Sequence, residues 1–476
     1  MREEYYLLID IGTGNTVVAI GDSKRNIVDF MGFSNEYERD LAYENSLVFS
    51  PEKLLDKIIV AIKNLLGKNE IRRIESIICD SPRQSFVLLD ENKKAIIGMP
   101  NIDNRGKEFI EKYSDEKLKE KVYTLSGHPL TEDFGAMKLV ATRERQKEIF
   151  NKSRWFISIS EWLGSVFTEK LSMEYSHAGE TQLFNIKENR WDEELCEIFN
   201  IDIDILPEVV SSGKVLGSIK NDFTTEFGLD SQTDFIVGGA DTQFALEGIG
   251  DINKSDLVIV SGTTTPIIKL RNNPIYDYEN NIWNGKHCGG EKYMVESNPG
   301  VTGLNYQNFK EIFAHNISYD ELENQYLKIK NPRVVASLTS QITLKAKGSI
   351  RGGFYLTPPN SNNITIYDFM YGILCDNVCA IYEKFKILNE KEKNNLVVGC
   401  GGGFQSENFT QNLANLIGLP ISLNEGFSKS SLMGLLNKSV KNKNNEELFS
   451  NTVKTYYPKE GTYIHLYYEK WLESVK

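Results

Sequence analysis

Two aspartates in apolar company are the side chains of this sequence best placed to do chemistry. Asp10 ends the run Leu7 to Ile9 and is followed by Gly12, Thr13, Gly14, Asn15 and Thr16, after which Val17 to Ile20 form a second apolar run. The pattern predicts a buried β-hairpin whose turn residues tolerate positive φ. Its backbone N–H groups and the hydroxyls of Thr13 and Thr16 are free to donate to an anion, and Asp10 could hold a hydrated Mg²⁺ beside it. Asp241 follows Phe235 to Gly239, a short apolar strand ending in two glycines, and precedes a helix, Thr242 to Gly248. There it is either a helix N-cap worth about 1 kcal/mol or a general base that takes the proton of an attacking hydroxyl during phosphoryl transfer. Gly238 and Gly239 favour the second role by letting a substrate approach the backbone closely.

A second copy of the first stretch strengthens its reading. Leu257 to Leu270 aligns with Leu7 to Ile20 without a gap, matching Gly12 with Gly262, Thr13 with Thr263, and Val17 and Val18 with Ile267 and Ile268. The copies differ at one telling place, where Asp10 corresponds to Val260. Two duplicated domains would then offer phosphate-binding turns from opposite sides of a cleft, with the metal carboxylate on one side only. A third glycine turn, Gly399 to Gly403, lies between a strand at Leu396 to Val398 and a helix at Ser406 to Ile417, an arrangement that suits a nucleotide lying against the backbone. It has neither a Walker A loop nor a dinucleotide fingerprint.

Polar clusters elsewhere are candidates for a small substrate. A strand, Ile74 to Cys79, delivers the chain to Ser81, Pro82, Arg83 and Gln84, and α/β folds commonly place ligand contacts beyond the carboxyl end of a strand. Asn101, Asp103 and Arg105 form a second set, in which Asp103 or Asn104 is a helix cap or the side chains match the hydroxyls of a polyol.

The elements that must position these groups alternate strand and helix. Expected helices include Pro51 to Leu66, Met137 to Asn151, Ser160 to Lys170, Gly303 to His315 and Ile366 to Leu388; Ser176 to Asn200 is expected to be loop-rich, with Trp191 packing. With 476 residues the chain exceeds one ordinary core, so two domains are expected. A net charge of −12 and a pI near 5.2 argue against general nucleic-acid binding. No signal peptide or membrane span is read, which points to a cytoplasmic protein. Six scattered cysteines suit reduced core thiols rather than a disulfide framework, and Cys375 and Cys379 lack further ligands for zinc.

In order and spacing, DIGTGNT at Asp10, GGAD ending at Asp241, SGTT at Ser261 and GGGFQSENFTQ at Gly401 resemble the FGGY family of carbohydrate kinases across nearly the whole chain. The resemblance implies an α/β fold of two actin-like, ribonuclease-H-fold domains flanking a deep cleft, a substrate-binding domain at 1–251 and an ATP-binding domain at 252–476. ATP would contact Gly12, Thr13, Asn15 and Thr16 from the first turn and Gly262, Thr263 and Thr264 from the second, with Gly401, Gly402, Gly403 and Phe404 near adenosine. Asp10, through water, and Asp241 would hold Mg²⁺, and Asp241 would be the base. Arg83, Gln84, Asn101, Asp103 and Asp241 would face a sugar or polyol. Domain closure would expel water around the reacting groups.

Within the family, the loops SPRQSFVLLDENKKAI, PNIDNRGKEF, VYTLSGHPL, SISEWLGSVFT and GVTGLNYQNFKEIF are most similar to those of autoinducer-2 kinases, which act on an open-chain five-carbon dihydroxy-dione. Alternatives are a xylulokinase- or gluconokinase-like acceptor, or a weakened, nucleotide-gated sugar-binding protein. Two departures bear on that choice: Val17 stands where the family usually carries Arg or Lys, and Gln84 replaces an acidic or small residue. The sequence leaves a homodimer open.

Overall fold

A computed structural model describes residues 4–250, 257–339, 352–357, 363–391, 396–444 and 451–474. The chain forms two compact units that interleave in sequence. Unit 1 takes Met1–Gly248, Leu270–Val295 and Ser431–Leu448; unit 2 takes Ile249–Lys269, Glu296–Ser430 and Phe449–Lys476. The boundary expected between 251 and 252 lies outside the described residues.

Unit 1 is built on a six-stranded sheet ordered Val215–Ser218, Asp234–Ala240, Ser76–Ser81, Tyr5–Ile11, Asn15–Asp22, Ile27–Ser34. The expected hairpin is present, with Leu7 opposite Ile20 and Ile11 opposite Thr16. Alternation along its first strand sends Leu7, Ile9 and Ile11 to one core and Tyr6 and Leu8 to another, so both faces are covered. The first face carries the helix Pro51–Lys68, started by Ser50, whose side chain accepts from the Lys53 amide. Ile58, Ala61, Ile62, Leu65 and Leu66 bury its apolar stripe; each of the large aliphatics contributes roughly 1.5–3 kcal/mol. Leu432, Leu435, Leu436 and Val440, from a helix late in the chain, cover the second face.

Within unit 2 the strands Ile267–Arg271, Leu257–Val260, Val397–Cys400, Ile421–Asn424 and Thr452–Tyr456 follow one another in the sheet. The hairpin pair is antiparallel, the next two neighbours parallel and the last antiparallel. Unit 1 repeats this order from Asn15–Asp22 to Val215–Ser218. The duplication read from two short stretches therefore extends to the sheet order of each unit.

Local departures have identifiable causes. The helix expected at Met137 to Asn151 breaks at Gln146 into Gly135–Arg145 and Lys147–Lys152. The helix expected to open at Ser160 starts at Ile159 with Ser158 as its N-cap residue. Asp103 does not cap a helix: its carboxylate accepts from Ser46 and Leu47 and pairs with Arg105. Gly238 and Gly239 also act differently from expectation, at a register shift where Asp234–Ala240 runs beside Ser76–Ser81. A Cβ on Gly238 would lie 1.7 Å from the Cys79 carbonyl oxygen, so this glycine admits a neighbouring strand rather than a substrate. Gly238→Ala should cost about 3 kcal/mol or more in chemical denaturation. Gly14→Ala, with nothing within 4 Å of its Cβ, should leave the midpoint unchanged.

Candidate active site

Parallel pairing brings three carboxylates to neighbouring strand ends in unit 1. Asp10 is in register with Asp80, and the shift after Ile236 sets Gly239 opposite Asp80 and Ala240 opposite Ser81, which delivers Asp241 immediately beyond. Asp80 is fully buried, and no N–H or hydroxyl donor reaches its carboxylate oxygens, which share a hydrogen bond with the Asp10 carboxyl instead. Burial, followed by the Asp10 and Asp241 charges, holds its carboxyl well above the usual range. Asp10 is raised as well, by burial and then by Asp241. Its cross-strand neighbour is Val17, which offers no countercharge. Asp241 begins the helix Asp241–Gly248 and accepts from the Thr242 amide at 2.6 Å. Burial raises its pKa against the opposing pull of Arg83.

Arg83 and Gln84 sit together, as the sequence suggested, on a loop in which Gln84 has φ +57°. A non-glycine residue in that region is uncommon and marks a constrained position. Gln84 donates to Glu180, and Arg83 Nη1 lies 3.8 Å from Glu180 Oε1. His128 Nε2 is 3.9 Å from the same oxygen, and both ring nitrogens of His128 are buried without a hydrogen bond. Burial, and then Arg83, push His128 down to about 3. Since unfolded histidine titrates near 6.5, the unfolded chain binds the extra proton between those values and stability should fall as pH is lowered from 6.5 toward 3. The slope is on the order of 1.4 kcal/mol per pH unit. In His128→Phe, which keeps the stacking on Phe134 and Trp283, denaturation midpoints should lose that part of their pH dependence.

A second histidine backs the same region. His177 is fully buried, 3.1 Å from Glu161 Oε2 and 3.3 Å from Ser81 Oγ. Burial works against its charge, but Glu161 prevails and raises its pKa. Asn101 donates to Thr13 Oγ1 at 2.9 Å, joining the second polar cluster to the first turn, whereas Asp103 stays in its own buried network. The turn itself is less free than expected. Gly12 N donates to the Asn15 carbonyl, Thr16 Oγ1 donates to Asn35, and the Asn15 side chain accepts from Ser34.

Unit 2 contains a cavity of about 570 Å³ lined by Gly262, Thr263, Gly402 and Gly403 together with Thr302, Tyr306, Asn377 and Phe409. That volume falls within the range of small-molecule sites. Val260 is in register with Cys400, so the turn after each strand meets the other: Ser261 N donates to Cys400 O, and Gly403 N to Ser261 O. Gly401 (φ +93°) makes this approach possible, since its Cβ would meet the Ser261 carbonyl oxygen at 2.4 Å. Three expected residues do not line the cavity. Gly401 lies behind the lining, Thr264 bridges to Val301, and Phe404 is buried against Gly399 and Phe409. The N-terminus of the helix Glu407–Ile417 is also taken: Ser406 accepts from Phe409 N, and Glu323 accepts from Ser406 and from Asn408 N. A carboxylate already fills the position a phosphate would seek there.

Among the described residues no group of three His, Cys, Asp or Glu side chains is set to ligate a metal by itself, and no helix is long and apolar enough to cross a membrane. The model of the FGGY family of carbohydrate kinases, N-terminal domain, matches residues 5–248. "Putative sugar kinase YoaC" of Bacillus subtilis is 34% identical over 480 residues, covering 99% of this chain and 97% of that protein. A xylulose kinase of Staphylococcus epidermidis is 23% identical, covering 88% and 84%. An autoinducer-2 kinase of Photorhabdus laumondii is 22% identical, covering 88% and 82%. The structure of ligand-bound xylulose kinase from Lactobacillus acidophilus superposes with a TM-score of 0.83 at 18% identity, covering 99% and 97%, which establishes a shared fold. A family match over half the chain and a relative aligned along almost all of it agree with the strand order and the ordered motifs: the protein belongs to the FGGY family of carbohydrate kinases and is a phosphotransferase acting on a sugar.

Proposed function

We propose that this kinase transfers the γ-phosphoryl group of ATP to a hydroxyl of the autoinducer-2 precursor, with unit 1, which holds most of 1–251, binding the acceptor and unit 2, which lies within 249–476, binding the nucleotide. The observation that carries the transfer reading is Asp241: a carboxylate at a strand end, raised in pKa, beside Arg83 and bonded only to Thr242 among the described partners. Asp241 takes the acceptor proton, Arg83 and Gln84 orient the acceptor, and Asn101 acts through Thr13. Asp103 braces that loop. Thr263, Gly262, Gly402 and Gly403 receive the nucleotide, while Asn377, whose Oδ1 is buried without a partner, offers a further polar contact in the cavity. The protein is soluble and cytoplasmic in this reading.

The residues fit a hydrated Mg²⁺. Asp80 meets no N–H or hydroxyl donor and lies against the Asp10 carboxyl, within reach of the Asp241 charge, and Mg²⁺ is commonly bound through one or two carboxylates while keeping several waters. Asp10, through water, and Asp241 would hold it, with Asp80 behind Asp10, and when bound it would supply countercharge for the phosphoryl oxygens.

The acceptor assignment rests on loop similarity and is tested by ADP release with ATP plus the autoinducer-2 precursor, pentuloses, polyols and gluconate. Strong preference for another acceptor would replace the substrate and leave the kinase. One observation favours a second reading as a nucleotide-gated binding protein, namely the uncharged Val17 opposite Asp10. ATP binding with no acceptor-stimulated turnover would establish that reading instead.

A further inference from the structure

The charge of the acceptor can be read from what surrounds Arg83. We infer that this kinase selects an uncharged polyol or ketose and rejects aldonates, because the guanidinium that would bind a substrate carboxylate is already paired with the buried carboxylate of Glu180. The inference rests on the reading that Arg83 and Asp241 border the acceptor.

Three observations place Glu180 in that site. Arg83 Nη1 is 3.8 Å from Glu180 Oε1, with the arginine side chain 8% exposed and the glutamate not at all. Gln84 spends its amide on the other oxygen of Glu180. A Cβ built on Gly285 would lie 3.6 Å from Glu180 Oε1 and 3.9 Å from Gln243 Nε2, so Glu180 borders the same small space as the side chain two residues after Asp241. Gln243 donates to the Lys286 carbonyl, leaving its own Oε1 buried without a partner.

The remaining basic groups nearby do not supply a replacement cation. His128 is neutral at physiological pH, and His177 is matched by Glu161. Lys286 turns its ammonium to the Ile186 carbonyl at 3.3 Å and to the Tyr293 ring at 3.9 Å. Asp241 adds a further negative charge within reach of Arg83. An incoming carboxylate would meet Glu180 and Asp241 in a poorly solvated space, where like charges are costly. Hydroxyls can use what is on offer: carboxylates that accept, an amide oxygen without a partner, and imidazole nitrogens without hydrogen bonds.

The test compares matched five-carbon ligands, xylitol and D-xylulose against D-xylonate, with D-gluconate as a second acid. Binding is read calorimetrically without nucleotide and kcat/KM with ATP. Wild-type protein should favour the neutral class by about 100-fold, the scale expected for two poorly screened like charges. Glu180→Gln should narrow that preference by at least about tenfold, chiefly by gaining aldonate binding. The wild-type comparison stands even if the variant does not fold. Equal or better use of an aldonate by wild type overturns the inference and leaves the kinase reading intact. An unchanged preference in folded Glu180→Gln overturns the role of Glu180. Neutral ligands that bind with the stated preference yet are never phosphorylated overturn only the transfer reading, and binding of neither class overturns the inference together with the acceptor site.

Discussion

Asp241→Asn should lower kcat by roughly 10²–10⁴, the contribution of a positioned general base, while leaving ATP affinity within about twofold. Asparagine keeps an oxygen to accept from the Thr242 amide, now 2.6 Å from the carboxylate, so the helix start survives. It cannot take a proton from an alcohol. A purely structural role at the helix start predicts unchanged turnover and unchanged thermal stability, because asparagine serves there as well as aspartate. Burial and the Asp241 charge raise Asp10, and Asp241 likewise bears on Asp80, so removing the Asp241 charge from beside these two carboxyls should raise the melting temperature slightly. Loss of turnover with equal or greater stability, read by coupled ADP release and thermal unfolding in parallel, identifies the base. Wild-type turnover removes Asp241 from that role.

What the sequence made legible is local in the chain. The Gly-Thr turns could be found because each is one uninterrupted stretch and its copy aligns without a gap. The same holds for Asp241, at the end of an apolar run before a helix, and for the helix expected from Ser406, which starts at Glu407 with Ser406 as its N-cap. Asp80 escaped notice because nothing in ICDSPR distinguishes a carboxylate whose partners arrive from two other strands through parallel register. Glu180, His128 and Gln243 form no motif and meet only through tertiary packing. Thr302 and Tyr306 were within a stretch noted for its similarity, GVTGLNYQNFKEIF, but their place in a cavity depends on the turn they pack against. The free hydroxyl assigned to Thr16 failed for a related reason: Asn35, far along the chain, accepts its proton at 2.7 Å. Spacing shows which groups could donate. It does not show which are already engaged.

The proposed nucleotide site can be tested independently through one crowded contact. In Gly403→Ala the new Cβ would lie 2.1 Å from Ser261 Oγ and 2.8 Å from Ser261 Cβ, at the wall of the cavity that also holds Gly262 and Thr263. The serine hydroxyl can rotate, but its Cβ cannot, so the two turns must part. A displacement costing about 1–3 kcal/mol should weaken ATP binding roughly 5- to 150-fold, with acceptor binding measured without nucleotide unchanged. Ser261→Gly removes both clashing atoms, and the double variant Ser261→Gly/Gly403→Ala should therefore bind ATP more tightly than Gly403→Ala alone. Residues in contact couple in this way, whereas independent sites simply add. Calorimetric titration of ATP into the four proteins of the cycle measures the coupling. Additive losses, or full ATP affinity in Gly403→Ala, would show that the nucleotide does not depend on the meeting of these two turns and would move its site elsewhere.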